Sequence, residues 1–401
     1  MGLDVGVIGV GMIGQEHIGR LDAGPGGSRV VAVADADAER AAAVAAQLPA
    51  AKALPGGEEL IASDAVDAVV VTSWGPTHEP YVLACIAAGK PVFCEKPLAT
   101  TQDACRRIVD AEVAAGRRLV QVGFNRRYDP AHRALKQAVD GGAIGAPLLV
   151  HCAHRNASVP PHYTRDMSIA DTAIHEIDEL RWLFGQEIVA AQVFTPRRSS
   201  RGGELQDPLL VLFELADGVL ADVEVSVNVH YGYEIRCEVS GETGTVELAD
   251  HAPVRLRREG AVAGLVPADW RERFALSYDV ELREWVDTVV AGRPPQGPGA
   301  WDGYAAQVVS DAALQSLHSG GRVRISSDHG AIEAIVEADE GLRLGTVSMS
   351  HGWGDVDPRA DPAGRGASTN LLIADDSDIE PINAMVRMTG IPVTIEPALP
   401  G

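Results

Sequence analysis

Cysteine is scarce in this chain: five residues in 401, Cys85, Cys94, Cys105, Cys152 and Cys237. Their odd number and the lack of any C-x-x-C pair argue against a disulfide framework and a thiolate zinc site, and no metal is expected. Positive charge is short as well, 34 Lys and Arg against 56 Asp and Glu for a net charge of −22. A field of that sign repels phosphate backbones and anionic lipid, which excludes nucleic acid and membrane surfaces as natural partners. No apolar run approaches the roughly 20 residues that a membrane helix needs. The N-terminus enters an apolar strand without a basic lead-in, so the expectation is a cytoplasmic protein without an export signal. Internal repeats and heptad arrays are missing too.

What is present is ordinary globular material, 46% hydrophobic and 22% charged, long enough for two or three domains of roughly 100 to 200 residues each. Over residues 1–123, β-branched runs at Val5–Val10, Val30–Ala34, Ala68–Thr72, Val92–Cys94 and Leu119–Gly123 alternate with Ala-rich amphipathic stretches. That alternation predicts an α/β domain with a doubly wound parallel sheet of the Rossmann type. Over 124–327 the strand-like runs follow one another directly: Pro147–His154, Ala190–Phe194, Leu209–Glu214, Val219–Val229, Tyr233–Ser240 and Thr245–Leu248. They predict an α+β domain with a large, open, mostly antiparallel sheet, closed by helices around Tyr278–Val290 and Trp301–Leu317. Residues 328–401 are richer in Gly, Pro and Asp, lose helical periodicity and form a third, small β-rich segment.

The first strand candidate runs into Gly9-Val10-Gly11-Met12-Ile13-Gly14 and then a helical stretch. In that context Gly9 permits the tight turn, Gly11 lets the backbone approach a pyrophosphate and Gly14 lets helix pack on strand; the N–H groups from Met12 and Ile13 onward face the phosphates. The next strand ends in Asp35, 21 residues after Gly14. A carboxylate there accepts from both hydroxyls of an adenosine ribose, which selects NAD over NADP.

A second group of residues suits proton transfer. Lys96, in Glu95-Lys96-Pro97, follows a parallel strand at its carboxyl end, where open α/β sheets bind ligands. Asp171 and His175 are spaced to share one face of a helix that ends near Phe184-Gly185, with Ile174, Ile177 and Leu180 on the core side. Oxidising a secondary alcohol needs a base for the hydroxyl proton, which fits His175, a carboxylate to orient it, which fits Asp171, and an ammonium on the oxygen, which fits Lys96. Taken singly, Lys96 also reads as a solvated surface lysine, and Asp171 with His175 as a helix cap beside a satisfied histidine.

Four stretches together carry a family resemblance: Gly6–Gly14, Cys94–Ala99, Gly123–Pro130 and Asp171–Asp178. The sequence over about 1–325 resembles the glucose-fructose oxidoreductase, inositol dehydrogenase and rhizopine-catabolism (Gfo/Idh/MocA) family. That resemblance implies a Rossmann domain, an α/β domain whose open sheet makes oligomer contacts in a homotetramer, NAD as cofactor also reached by Lys96, and Lys96, Asp171 and His175 as catalytic residues. His154-Arg155-Asn156, Val159-Pro160-Pro161 and Tyr231-Gly232-Tyr233 are most similar to actinobacterial inositol 2-dehydrogenases. They imply oxidation of the C2 hydroxyl of myo-inositol to 2-keto-myo-inositol, with Arg127, Asn156 and Tyr233 as polar contacts to the ring. The same three residues also fit sheet or loop positions that satisfy backbone groups. Scyllo-inositol, a glucose-like sugar or an anhydrosugar are the alternative substrates, and an NAD-binding sensor or scaffold without turnover is the alternative of another class.

The segment from 328 departs from that family. Arg322–Ile325, Gly330-Ala331-Ile332, Leu344–Val347, His351-Gly352-Trp353-Gly354 and Pro392–Glu396 resemble the end of a molybdopterin-dinucleotide-binding domain. The large domains between which such enzymes hold their cofactor are not found here, so the segment reads as a fused or vestigial tail that does not hold molybdenum. Asp375–Glu380 reads as a solvated loop.

Overall fold

In the computed structural model of the chain, residues 2–22, 24, 27–249, 255–319, 322–327, 331–335 and 393–397 are described. They fall in two compact units, Met1–Leu314 and Gln315–Gly401.

The short Val-rich runs of the first unit become β1 (Asp4–Ile8), β2 (Arg29–Ala34), β3 (Lys52–Ala53), β4 (Ala68–Val71), β5 (Val92–Glu95) and β6 (Val120–Gly123). They pair in parallel in the order β3-β2-β1-β4-β5-β6. Every residue of β4, β5 and β6 is buried, because helices cover both faces; such strands therefore read as unbroken apolar runs. The helices are α1 (Met12–Asp22), α2 (Ala38–Ala45), α3 (Gly57–Ala62), α4 (His78–Ala88) and α5 (Gln102–Ala114). Asp37 and Thr101 cap α2 and α5 by accepting main-chain N–H groups of the first turn. The two-residue β3 lies on the exposed edge and carries too little pattern to be read from sequence.

After α6 (Pro130–Asp140), the second sheet is built from β7 (Pro147–Arg155), β8 (Ile188–Phe194), β9 (Leu209–Leu215), β10 (Leu220–Ser226), β11 (Glu234–Gly241) and β12 (Thr245–Glu247), in the order β12-β11-β7-β10-β9-β8. Its pairs are antiparallel except β7 with β10, which run parallel at the centre. Burial alternates along β9 and β10, the mark of a sheet with one covered face. On this sheet Leu148, Leu149, Val189, Phe194 and Leu220 are exposed. α7 (Ile174–Phe184) buries Ile174, Ile177 and Leu180 as expected from their spacing. Asp171 lies just before α7, in a wide π-helical turn over Ser168–Ala173.

A hairpin of β13 (Arg255–Arg258) and β14 (Ala261–Gly264) precedes α8 (Trp270–Val290) and α9 (Ala300–Ser319). Sequence periodicity starts α8 only at Tyr278, because the backbone at Phe274 is non-helical (φ −115°, ψ 15°) and the first turn rests on its Asp269 cap. α8 joins the two sheets. Its Leu282, Trp285 and Val286 sit in one core with Val5, Val7, Val33, Val70 and Phe93 of the Rossmann layer. Phe274 and Tyr278 pack instead with Tyr233 of the second layer, and Ile13 of the glycine turn lies against that cluster.

In the second unit, β15 (Arg322–Ser326), β16 (Ala331–Ile335) and β17 (Thr394–Pro397) form an antiparallel sheet in the order β16-β15-β17. Leu344–Val347, His351, Trp353 and Asp375–Glu380 lie outside the described residues.

Candidate active site

At the carboxyl edge of the parallel sheet the chain turns from β1 into α1. Gly9 takes φ +91°, a left-handed backbone, and an added Cβ would sit 2.5 Å from the Ser73 main chain. A Cβ on Gly14 would lie 2.1 Å from the Gly9 carbonyl oxygen, so helix and strand close on each other only through glycine. At Gly11 the same position is open space. That opening, beside the start of α1 and the exposed Met12, is a cradle fitted to a pyrophosphate. Thr72 Oγ1 donates to the Gly9 carbonyl at 2.6 Å and locks the turn.

Asp35 stands at the end of β2. Its Oδ2 accepts from Val10 N at 2.7 Å, its Oδ1 accepts from Asp37 N at 2.9 Å, and Arg40 pairs with Oδ1 at 2.6 Å. Burial works against the charge, yet Arg40 and the two main-chain donors prevail and hold the carboxyl below the ordinary carboxylate range. An ionised acid therefore flanks the cradle, with Arg40, absent from the sequence reading, clamped to it.

β5 delivers Glu95 and Lys96 next to the cradle. Glu95 Oε1 is 2.7 Å from His17 Nε2 of α1, and Glu95 Oε2 accepts the Lys96 main-chain N–H at 3.1 Å. The Lys96 ammonium donates to Asp171 Oδ1 at 2.6 Å and to the Asp171 carbonyl at 3.0 Å. Burial raises the proton affinity of Asp171, but Lys96 overrides it, and the carboxyl stays ionised below its ordinary range. The expected contact of Asp171 with His175 is thus replaced by one with Lys96, since a neutral imidazole competes poorly with an ammonium for a carboxylate. His175 stands in the first turn of α7 with Nδ1 buried and without a hydrogen-bond partner among the described residues. Burial, helped by Lys96, Arg126 and His154, pushes its imidazole well below the ordinary histidine range. The ring is neutral at physiological pH, the state in which an imidazole accepts a proton.

The three residues read as ring contacts lie as follows. Arg127 donates to Asp178 Oδ1 at 2.5 Å and Oδ2 at 2.9 Å and to Asp302 at 2.9 Å, a nearly buried ion cluster. Asn156 donates its main-chain N–H to Ser226 and accepts from Val229 N, which continues the sheet past β7. Tyr233 is 5% exposed, its hydroxyl 3.3 Å from His154 Nε2. Beside His175 stand residues to which the sequence assigned no role of their own. The His154 ring centroid is 6.2 Å from that of His175, and Arg126 bridges Glu176 at 2.5 Å, Glu179 at 2.6 Å and His154 at 3.0 Å. Tyr163 and Thr172 share a 2.5 Å hydroxyl contact next to Asp171. One signal pointed to this network: His175-Glu176-Ile177-Asp178-Glu179-Leu180 sets three acids into a helix whose neighbours are core residues, so the acids need buried cations.

Comparison with known proteins bears on this geometry. Residues 3–124 match the Gfo/Idh/MocA oxidoreductase family as its NAD-binding Rossmann fold, and residues 136–325 match its C-terminal alpha/beta domain. Residues 308–391 match the molybdopterin dinucleotide binding domain. Inositol 2-dehydrogenase 3 of Saccharopolyspora erythraea is 56% identical over 321 residues, 80% of this chain and 94% of its own. Inositol 2-dehydrogenase of Pseudomonas savastanoi pv. phaseolicola is 52% identical over 328 residues, 81% of this chain and 97% of its own. Among solved structures, myo-inositol dehydrogenase from Lactobacillus casei in complex with NAD(H) and myo-inositol superposes with a TM-score of 0.77 at 40% identity, over 85% of this chain and 99% of that one.

Proposed function

The chain belongs to the Gfo/Idh/MocA oxidoreductase family, and on that footing we propose that it is an inositol 2-dehydrogenase, oxidising the C2 hydroxyl of myo-inositol to 2-keto-myo-inositol. The observation that carries the reading is the Lys96–Asp171 ion pair beside a neutral His175, next to the glycine cradle. The relatives that match over four fifths of this chain bear the name inositol 2-dehydrogenase.

NAD, when bound, supplies the hydride acceptor. Gly9, Gly11, Met12, Ile13 and Gly14 would hold its pyrophosphate at the start of α1, and Asp35 its adenosine ribose. His175 takes the hydroxyl proton as general base, its low proton affinity keeping it unprotonated before the reaction. The Lys96 ammonium donates to the same oxygen and stabilises the alkoxide character that develops there. Asp171 grips that ammonium through its carboxylate and its carbonyl, so the donor is aimed before substrate arrives. Arg127, Asn156 and Tyr233 remain the proposed ring contacts; Arg127 would have to share its guanidinium with Asp178, and Tyr233 its hydroxyl with His154.

The reading carries with it a cytoplasmic homotetramer acting in polyol catabolism, without nucleic acid or membrane partners. The net charge of −22 supports the exclusion of phosphate-rich partners. The exposed Leu149, Leu220 and Phe194 share one face of the open sheet by register and supply apolar contacts for a second copy. Among the described residues no helix is long and apolar enough to cross a membrane.

The test is the appearance of reduced nicotinamide when the purified protein meets NAD or NADP with myo-inositol, scyllo-inositol, glucose, xylose or levoglucosan. Preference for myo-inositol with NAD is expected. Activity confined to another sugar overturns the substrate, and NAD binding without turnover on any of them overturns the enzyme reading in favour of a sensor.

A further inference from the structure

His78 has no part in the chemistry above, yet it is 1% exposed and both of its ring nitrogens meet main-chain oxygens. It opens α4, with Nδ1 2.7 Å from the Pro97 carbonyl and Nε2 2.9 Å from the Ser73 carbonyl. A carbonyl oxygen only accepts, so serving both at once takes two N–H groups. Burial, with Lys96, outweighs the two carbonyls and the Glu95 carboxylate and holds the ring below the ordinary histidine range, so the neutral imidazole has one N–H, which its two tautomers present to the Pro97 and Ser73 carbonyls in turn.

The two carbonyls belong to different halves of the site. Ser73 walls the glycine turn: its N and Cα are the atoms that a Cβ on Gly9 would strike, and the Thr72 hydroxyl before it binds the Gly9 carbonyl. Pro97 follows Lys96 directly. The loops also touch, since a Cβ on Gly75 would lie 3.3 Å from Thr100 and 3.8 Å from Pro97. On its other side the Lys96 main chain is fixed by Glu95, which His17 of α1 braces. We propose that His78 is a positioning residue that ties the cofactor-side loop at Ser73 to the lysine loop at Pro97, so that the cradle and the Lys96 ammonium keep one fixed relation.

The proposal rests on the dehydrogenase reading, and its test separates the two. In His78→Asn the amide nitrogen takes the place of Nδ1 and keeps the Pro97 contact; in His78→Gln it takes the place of Nε2 and keeps the Ser73 contact. For each variant and the wild type, NADH affinity is titrated by fluorescence, kcat and KM are measured with the best polyol, and the thermal midpoint is recorded. His78→Gln is expected to bind NADH within about twofold of wild type while kcat falls roughly ten- to a hundredfold, the scale of a catalytic group displaced by about 1 Å. His78→Asn is expected to show the opposite split, NADH affinity about tenfold weaker and the smaller loss in kcat. Equal losses in both constants, wild-type constants in both variants, or failure of both to fold with NADH overturn the proposal and leave His78 a packing residue. If the wild type binds NADH but turns over no polyol, the dehydrogenase reading falls, and the NADH split still decides the Ser73 half.

Discussion

The Lys96 ammonium is held twice by one residue, at 2.6 Å by the Asp171 carboxylate and at 3.0 Å by the Asp171 carbonyl. The double contact works because Asp171 sits in a wide π-helical turn, whose carbonyls are not all taken up by the regular i to i+4 ladder. Removing the charge and keeping the shape isolates its contribution. Asp171→Asn is expected to lower kcat about ten- to a hundredfold through loss of lysine placement, with NADH affinity by fluorescence titration nearly unchanged. A large loss of NADH affinity would move Asp171 out of the substrate half of the site.

His175→Ala is expected to reduce turnover by about two to four orders of magnitude, the usual contribution of a general base. The pH profile gives a second check. The pKa of His175 is depressed, so its unprotonated form persists as pH falls through the ordinary histidine range. A kcat/KM profile for wild type should therefore show no loss of rate from protonation of this base until well below pH 6.5. A limb between pH 7 and 8 that disappears in His175→Ala would contradict the depressed value.

In the proposed function Asp35 would exclude an extra phosphate by charge, and its carboxylate restrains Arg40 at the same time. Asp35→Ser removes the repulsion and frees a guanidinium beside the ribose position. The ratio of kcat/KM for NAD over NADP is expected to fall at least about tenfold, or about 1.4 kcal/mol. An unchanged ratio would show that specificity resides elsewhere.

The network behind His175 carries a stability signature. Burial raises the proton affinity of Glu179, but His132 and Arg126 outweigh it and bring its pKa down to about 2. A depressed carboxyl stabilises the fold fully above its unfolded value near 4.5, and that contribution is lost as pH falls toward 2. His132 has the opposite sign: although burial lowers it, Glu179 and Asp129 raise it, so its contribution is complete below 6.5 and fades as pH rises through the folded value. Thermal midpoints of wild type should drop steeply below pH 4.5, and Glu179→Gln should flatten that drop. In Glu179→Gln a loss of stability on the order of 3 kcal/mol near pH 7 is expected from leaving Arg126 underpaired in a buried site.

Trp285 is 1% exposed at the point where α8 enters the Rossmann core against Phe93. Trp285→Ala is expected to cost about 3 to 5 kcal/mol in denaturant unfolding. It should also loosen the join between the sheets, because the same helix carries Phe274 and Tyr278 to the second layer. A cost below about 1 kcal/mol would mean that α8 does not bind the layers together.

Local pattern carried the fold and part of the site. Continuous Val runs declare a sheet covered on both faces, the glycine turn has no other steric solution, and Ile174, Ile177 and Leu180 mark their helix face by spacing alone. The parallel β7–β10 pair, the start of α8 and the edge strand β3 were not legible, because strand direction, a kinked first turn and two residues of pairing leave no periodic trace. Lys96, Asp171 and His175 could be named from residue type and position, but which of them Asp171 grips depended on distances between segments 75 residues apart. The same holds for Arg40 on Asp35, Arg126 among its two glutamates, and His78 between two carbonyls. The amino-acid sequence determined which groups are available and which secondary elements carry them; only the tertiary structure decided their partners, because a charge buried by the fold takes whichever opposite charge or dipole packing brings within hydrogen-bond reach.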